Sequence, residues 1–276
     1  MIIDGADNND EKMLVEYLKK LNIKDIDYVV LTHPDADHCG GLDSIINNFN
    51  IGKVFIGNGD AETKVYKDFV QAAIDKKLMP SIPLQDKTFT LGVGTFKFYN
   101  QKSKSDDIND NSLVTEYTNG SHKFLFMGDA GKDVEADLPL NEIGKVDVLK
   151  VGHHGSKTSS SESFIKAVSP RYSVICCGKD NKYGHPHQKS LDTLNKYQSE
   201  IYRTDTNGNI VFTSNGEDIE INCTDGAYAA APVDADSNRD SSPTADNISK
   251  VVYLTKAGEK YHALGCSYLK KGKIKT

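Results

Sequence analysis

The chain has 276 residues, a net charge of −6, 38% hydrophobic and 26% charged residues, which suits one large core or one domain with an appendage. The acidic balance speaks against an indiscriminate nucleic-acid binder with a basic face, though not against a local basic groove. Five cysteines without a CxxC pair give no disulfide framework, and no apolar run approaches the ~20 residues of a membrane span.

In chain order, helices alternate with short strands. Met13, Leu14, Leu18 and Leu21 recur at helical spacing across residues 9–22, with Asn8, Asn9 and Asp10 as candidate caps. Residues 26–32 (IDYVVLT) form a buried strand, 41–49 a helix, 53–56 a strand and 61–77 a helix. Residues 89–99 (FTLGVGTFKFY) alternate as a strand with a Gly-rich interruption. Segments 112–118 and 123–127 read as a hairpin turning at Asn119-Gly120, a pair suited to a type I′ turn. Residues 146–151 and 172–176 are short apolar strands, and 209–222 a closing hairpin with Asn215-Gly216 at its turn. From 225 to 249 the chain is Ala, Asp, Ser and Pro with scarcely any large apolar residue, and reads as a disordered linker. Residues 250–276 recover apolar and aromatic side chains and are rich in lysine.

The stretch LTHPDADHCGG, beginning at Leu31, places His33, Asp35, Asp37 and His38 just beyond the end of a predicted strand. Loops there carry the chemistry of α/β sheets, and ligands at alternating positions can turn toward one point. His33 and Asp35 can serve one metal ion, Asp37 and His38 a neighbouring one. Pro34 stiffens the turn, while Gly40-Gly41 permits a close backbone approach. A helix N-terminus with capping aspartates would explain one carboxylate, not four metal-competent groups in six residues. Other predicted strands end the same way: 123–127 before Asp129, 146–151 before His153-His154, and 172–176 before Tyr183-Gly184-His185-Pro186-His187.

The order HPDADH, GDA, GHHGS resembles the metallo-β-lactamase fold superfamily. Within it, the chain is similar to the soluble hydrolase domain of ComEC-type competence proteins and their stand-alone relatives. The likeness rests on THPDADHCGGL (32–42), NDNSLV (109–114), FMGDA (126–130), LKVGHHGSKTSSS (149–161), YGHPH (183–187) and YRTDTNG (202–208), and spans roughly residues 1–222. It implies an α/β fold, an αββα sandwich with helices outside two sheets and metals at one edge, occupying residues 1–224 before the linker and a small C-terminal unit. It implies that His33 and Asp35 bind a first metal, and that Asp37, His38 and His153 bind a second. Asp129 bridges the two, His154 is a ligand or proton donor, and His185 lies near the substrate.

The sequence departs from the pattern in three places. Asp35 stands where histidine is commoner, which makes manganese a competitor to zinc. No histidine lies between His38 and His122, so the first site is expected to be weaker or completed by water. The extra hairpin that usually precedes an "IDG" stretch is missing before Ile3-Asp4-Gly5. The start as written carries no secretion signal and reads as cytoplasmic; a clipped start would hide one and open an extracellular or surface location.

Two cations about 3.5–4 Å apart acidify a shared water and stabilise both attacking and leaving oxygens. Hydroxide between them is then the expected nucleophile, with Asp37 both ligand and orienting group. Ser156, Lys157 and the TSSS run at 158–161 either contact a phosphate or cap the helix starting near Glu162. The leading expectation is a phosphodiesterase or nuclease acting on DNA. The alternative is a small-molecule hydrolase of a lactone, thioester or phosphorylcholine ester, and a non-catalytic metal-stabilised module ranks last. In the tail, His262 and Cys266 are spaced like half a zinc site, but a small packed β-unit suits them better. Its lysines could contact nucleic acid or a cell surface.

Overall fold

Alternate residues along the central strands face two different cores, and this period-two split sets the layers. The computed structural model describes residues 1–224 and 250–254. Its first half runs β1 (Ile2–Ile3), α1 (Glu11–Lys20), β2 (Asp25–Leu31), α2 (Ala36–Cys39), α3 (Leu42–Asn48), β3 (Asn50–Ile56), α4 (Lys64–Asp75), β4 (Thr88–Leu91) and β5 (Gly94–Tyr99). Then come β6 (Val114–Asn119), β7 (His122–Phe126), α5 (Lys132–Asp137), α6 (Leu140–Ile143), β8 (Val148–Lys150), α7 (Glu162–Val168) and β9 (Tyr172–Ile175). The last elements are α8 (Gln188–Lys196), β10 (Glu200–Arg203), α9 (Thr204–Asn207), β11 (Asn209–Ser214), β12 (Ile219–Thr224) and β13 (Lys250–Leu254).

Strands β1, β2 and β3 form a parallel sheet. A seven-stranded sheet has the order β10-β9-β8-β7-β6-β5-β4, parallel from β10 to β7 and antiparallel from there to β4. A small antiparallel sheet runs β12-β11-β13. Phe124 and Phe126 of β7 and Val174 of β9 enter a middle core with Val30, Phe55, Ile210 and Phe212 from the other two sheets. The intervening Leu125 and Ile175 face outward, under Val134 of α5, Phe164 and Val168 of α7 and Leu194 of α8. On the far side, Leu14 and Leu18 of α1, Ile45 and Ile46 of α3 and Phe69 of α4 cover Val29 and Leu31. The result is the αββα sandwich.

Two turns differ from the sequence expectation. The alternation at 89–99 is a hairpin rather than one interrupted strand: Leu91 pairs with Gly94, and Gly92 takes φ +58° in the turn. At the next hairpin Asn119 pairs with His122, so the turn is Gly120-Ser121, one residue later than expected. Only Gly120 has positive φ there, the type II′ pattern. Asn119 is kept in the strand because its buried amide donates to the Ser214 carbonyl and hydroxyl. The expected linker and the His262/Cys266 pair lie outside the described residues. Lys250–Leu254, the start of the expected Lys-rich unit, hydrogen-bonds along β11. Among the described residues no helix is long and apolar enough to cross a membrane.

Candidate metal centre

The parallel strands β7, β8 and β9 all point their C-terminal ends at one edge of the sandwich, and the loop after β2 meets them there. Thr32 leaves β2 with its backbone N–H bonded to Asp4 Oδ1 (2.8 Å) and its hydroxyl donating to Asp4 Oδ2 (2.8 Å). That hydroxyl's one proton is therefore committed, so it can only accept from His33 Nδ1, 3.1 Å away. The His33 ring is fixed with Nε2 bare, buried and without a hydrogen-bond partner. Asp35 takes the N-cap position of α2 but makes no side-chain cap bond, so its carboxylate stays available.

His38 is fixed by the same carboxylate. Its Nδ1–H donates to Asp4 Oδ2 at 2.7 Å, which turns Nε2 inward. A carboxylate behind an imidazole sets the tautomer and raises ligand basicity, an arrangement common around bound metals. Asp4 reaches this place through a left-handed backbone (φ 61°), locked by Gly5 N–H to the His38 carbonyl (2.6 Å) and Gly41 N–H to the Gly5 carbonyl (3.0 Å). Here lies the use of Gly40-Gly41: a Cβ on Gly40 would stand 2.3 Å from Asn8 N, and one on Gly41 2.5 Å from Gly5 O.

From the other sheet, Asp129 follows a turn at Gly128 (φ +56°), with its N–H donating to Ser112 Oγ at 3.0 Å. Asp129 is buried; its Oδ1 lies 3.2 Å from His38 Nε2 and its Oδ2 3.2 Å from His154 Nε2, while Oδ1 has no hydrogen-bond partner. His153 and His154 both sit in left-handed backbone (φ 46° and 51°), a conformation that costs a β-carbon residue on the order of 1–3 kcal/mol. The strain aims His154 inward: Nδ1–H donates to the Cys176 carbonyl (2.7 Å), and Nε2 stands 3.2 Å from Asp37 Oδ2. His153 is more peripheral, its Nε2 3.9 Å from Asp129 and its Nδ1 3.3 Å from the Thr158 hydroxyl.

Two overlapping donor sets result, His33 with His38 and Asp129, and Asp37 with His38 and His154. Asp35 Oδ2 stands 3.6 Å from His33 Nε2. The electrostatics show what the cluster lacks. Burial alone would lower the His38 imidazole, yet Asp129 and Asp4 hold it well above its ordinary value. His154 is likewise lowered by burial but pushed up to about 9, chiefly by Asp129. Burial raises Asp129, and the charges of His154 and His38 more than reverse that. Protons on imidazoles thus balance the buried carboxylates. A divalent cation would take over that balance and partner the bare Nε2 and Oδ1 atoms, so the donors fit a metal.

His185 lies 5.6 Å from His153 and 6.1 Å from His154, ring to ring. Burial, then His154 and His153, pull it down to about 4. The Ser/Thr run serves the fold: Ser159 Oγ donates to the Gly152 carbonyl, Ser161 Oγ caps α7, and Glu135 accepts from the Ser160 and Ser161 N–H groups. Of that run, Thr158 reaches the site, its hydroxyl 3.3 Å from His153 Nδ1. The Asn109-Asp110-Asn111 turn is a brace, with Asp110 Oδ1 accepting from Gly131 N (3.0 Å). Sequence reasoning left Thr32, Ser112 and the Cys176 carbonyl out of the site. The first two lie inside the stretches THPDADHCGGL and NDNSLV, but a backbone carbonyl leaves no mark in sequence.

Residues 1–179 match the metallo-beta-lactamase superfamily. ComE operon protein 3 of Bacillus subtilis is 33% identical over 207 residues, 73% of this chain and 26% of that protein. Recombination protein 2 of Haemophilus influenzae is 28% identical over 72% of this chain and 24% of its own length. Competence protein ComA of Neisseria gonorrhoeae is 29% identical over 72% and 27%. The chain thus spans about a quarter of the length of these relatives. The matched span contains the strand ends that carry His33 through His154, and with that donor geometry it identifies the chain as a member of the metallo-beta-lactamase superfamily, a metal-dependent hydrolase similar to ComEC-type competence proteins.

Proposed function

We propose that this hydrolase binds two divalent ions, zinc or manganese, and cleaves phosphodiester bonds of DNA. The carrying observation is a dense donor set open on one side: the side chains of Asp35 and Asp37 are 42% and 43% exposed above buried His33, His38 and Asp129. An open face admits a polymer backbone. The relatives named for competence and recombination favour DNA as that polymer.

In this reading His33, Asp35 and Asp129 would hold the first ion, and Asp129, Asp37, His38 and His154 would hold the second, with His153 beside Asp129. The ions supply Lewis acidity and an acidified water when bound. Asp37, half-exposed and 3.2 Å from His154, would accept a hydrogen bond from a water at the open face and so orient it. His185 is neutral at neutral pH and offers one N–H to a phosphate oxygen. Carboxylate oxygens from Asp35, Asp37 and Asp129 suit manganese at least as well as zinc.

The test is metal content measured alongside turnover of DNA, bis-p-nitrophenyl phosphate and a lactone. Close to two ions per chain with phosphodiester cleavage, at least as fast with manganese as with zinc, is the expected result. Lactone turnover with no phosphodiester cleavage under either metal would instead make this a small-molecule hydrolase.

A further inference from the structure

Beyond the donor cluster, one aromatic arrangement leads from solvent to the site. Tyr183 is 64% exposed and keeps one ring face open beside its loop. Its ring is 5.7 Å from His185 at 22°, and His185 is 6.1 Å from His154 at 23°, both stacked. His153 and His187 stand edge-on to His185, at 5.6 and 4.9 Å. The column thus ends on the imidazole that touches Asp37 and Asp129.

The loop is braced. Asn181 donates to the carbonyls of Gly178 and His185 and accepts from His185 N–H, while His187 N–H bonds the Gly155 carbonyl. None of these bonds involves the Tyr183 side chain, so the fold does not need the ring where it stands. The Lys182 ammonium rests 4.9 Å over it, an exposed cation–π contact that is readily exchanged. Lys157 emerges beside the same loop, its N–H bonded to His187 Nδ1.

Resting on the reading above, we infer that Tyr183 is a stacking platform for a nucleobase of an unpaired DNA strand, holding the strand so that a neighbouring phosphate lies over the metal centre. An exposed ring stacks on any base, because every base has a π-face, and pairs naturally with lysines that track the backbone. Ring-to-ring steps of 5.7 and 6.1 Å, against a rise of about 3.4 Å per nucleotide in a stacked strand, place the reacting phosphate roughly three to five nucleotides from the stacked base. A duplex keeps its bases inside and offers Tyr183 nothing but a terminal pair. Tyr183 is a positioning residue that selects single strands.

The experiment compares wild type, Tyr183→Ala and Tyr183→Phe by fluorescence anisotropy. The probes are a labelled single-stranded oligonucleotide, the same oligonucleotide with a tract of abasic sites, and a blunt duplex, at fixed salt. Tyr183→Ala should weaken binding of the normal strand about tenfold, Tyr183→Phe should bind like wild type, and neither should alter abasic or duplex binding. In turnover, Tyr183→Ala should raise KM and leave kcat unchanged. Equal binding of the normal strand by wild type and Tyr183→Ala, or equal losses on normal and abasic strands, overturns the stacking role while leaving the nuclease reading intact. Wild type that neither binds nor cleaves any strand overturns both.

Discussion

In the half of the site that follows β2, four donors lie within six residues, and one carboxylate, Asp4, fixes both the strand exit through Thr32 and the ring of His38. In the half that follows β7 and β8, Asp129 lies far in sequence from the adjacent pair His153-His154, and both of those stand on left-handed backbone. Their orientation comes from a distant carbonyl, that of Cys176, and from the Gly128 turn. The first half is organised by side-chain hydrogen bonds, the second by backbone strain that packing must hold. Asp129 joins them, since its two oxygens face one histidine from each half and its N–H rests on Ser112, whose hydroxyl also faces His33.

That joint gives the largest expected effect. Asp129→Ala should lower metal occupancy at both positions and reduce kcat/KM by a thousandfold or more, on the order of losses seen when a group acting as part of a unit is removed. Metal content by mass spectrometry beside phosphodiester turnover checks it. Two tightly held ions with full activity in that variant would mean that the halves are independent.

The second half can be probed within itself. His154 contacts Asp37 and Asp129 at 3.2 Å, whereas His153 comes no nearer than 3.9 Å to Asp129. His154→Ala should therefore lower metal affinity and turnover by about a hundredfold, and His153→Ala by clearly less. The reverse order would show that the left-handed turn rearranges on loading and hands the ligand position to His153.

The first half should respond through Asp4, which touches no expected ion. Asp4→Asn keeps the size but cannot accept from Thr32 N–H, the Thr32 hydroxyl and His38 Nδ1–H at once. A loss of about 10–100-fold in metal affinity is expected, with nearly native melting, as for other carboxylates behind ligand histidines. Chelator competition measures it; unchanged affinity would make Asp4 a brace for the loop alone.

The same contrast explains what the sequence could tell. The THPDADH loop was legible because its chemistry is contiguous and follows an apolar strand, and the GDA and GHHGS loops because a glycine marks each turn. The αββα layering was legible only through the resemblance of the motifs, since Phe124-Leu125-Phe126 is apolar throughout and only the fold shows its alternate residues facing two cores. The role of Asp4 was only half visible, since nothing local says that an N-terminal aspartate will meet His38. The Ser/Thr run stayed open between phosphate contact and a helix cap, because sequence does not show that Glu135 and the Gly152 carbonyl already engage it while Ser161 caps α7. The turn after β6 slipped by one residue because the buried Asn119 amide outweighed local preference.

The smallest expected effect is on melting of the metal-free protein, and it reports the charge balance directly. In the fold, burial lowers His154, but Asp129 and the bonds to Asp129 and Asp37 bring it up to about 9, against ~6.5 for a histidine in an unfolded chain. A raised imidazole stabilises the fold through its proton. That contribution is fully present below the unfolded value and is lost as pH rises through the folded one. His38, raised by the same carboxylates, acts in the same direction. Asp129 and Asp37 are held below their ordinary values and titrate on the acid side, outside this window. His185, lowered to about 4, also changes charge below it. With chelator present, Tm should therefore fall by a few degrees between about pH 6.5 and 9, since roughly 1 kcal/mol moves Tm by about 2–4 °C at this size. His154→Ala should flatten the slope. Manganese or zinc should flatten it too, and raise Tm at the alkaline end, because ligation needs the imidazoles deprotonated. Differential scanning fluorimetry across that range decides the matter: the same slope in wild type and His154→Ala would place the stabilising proton on another group.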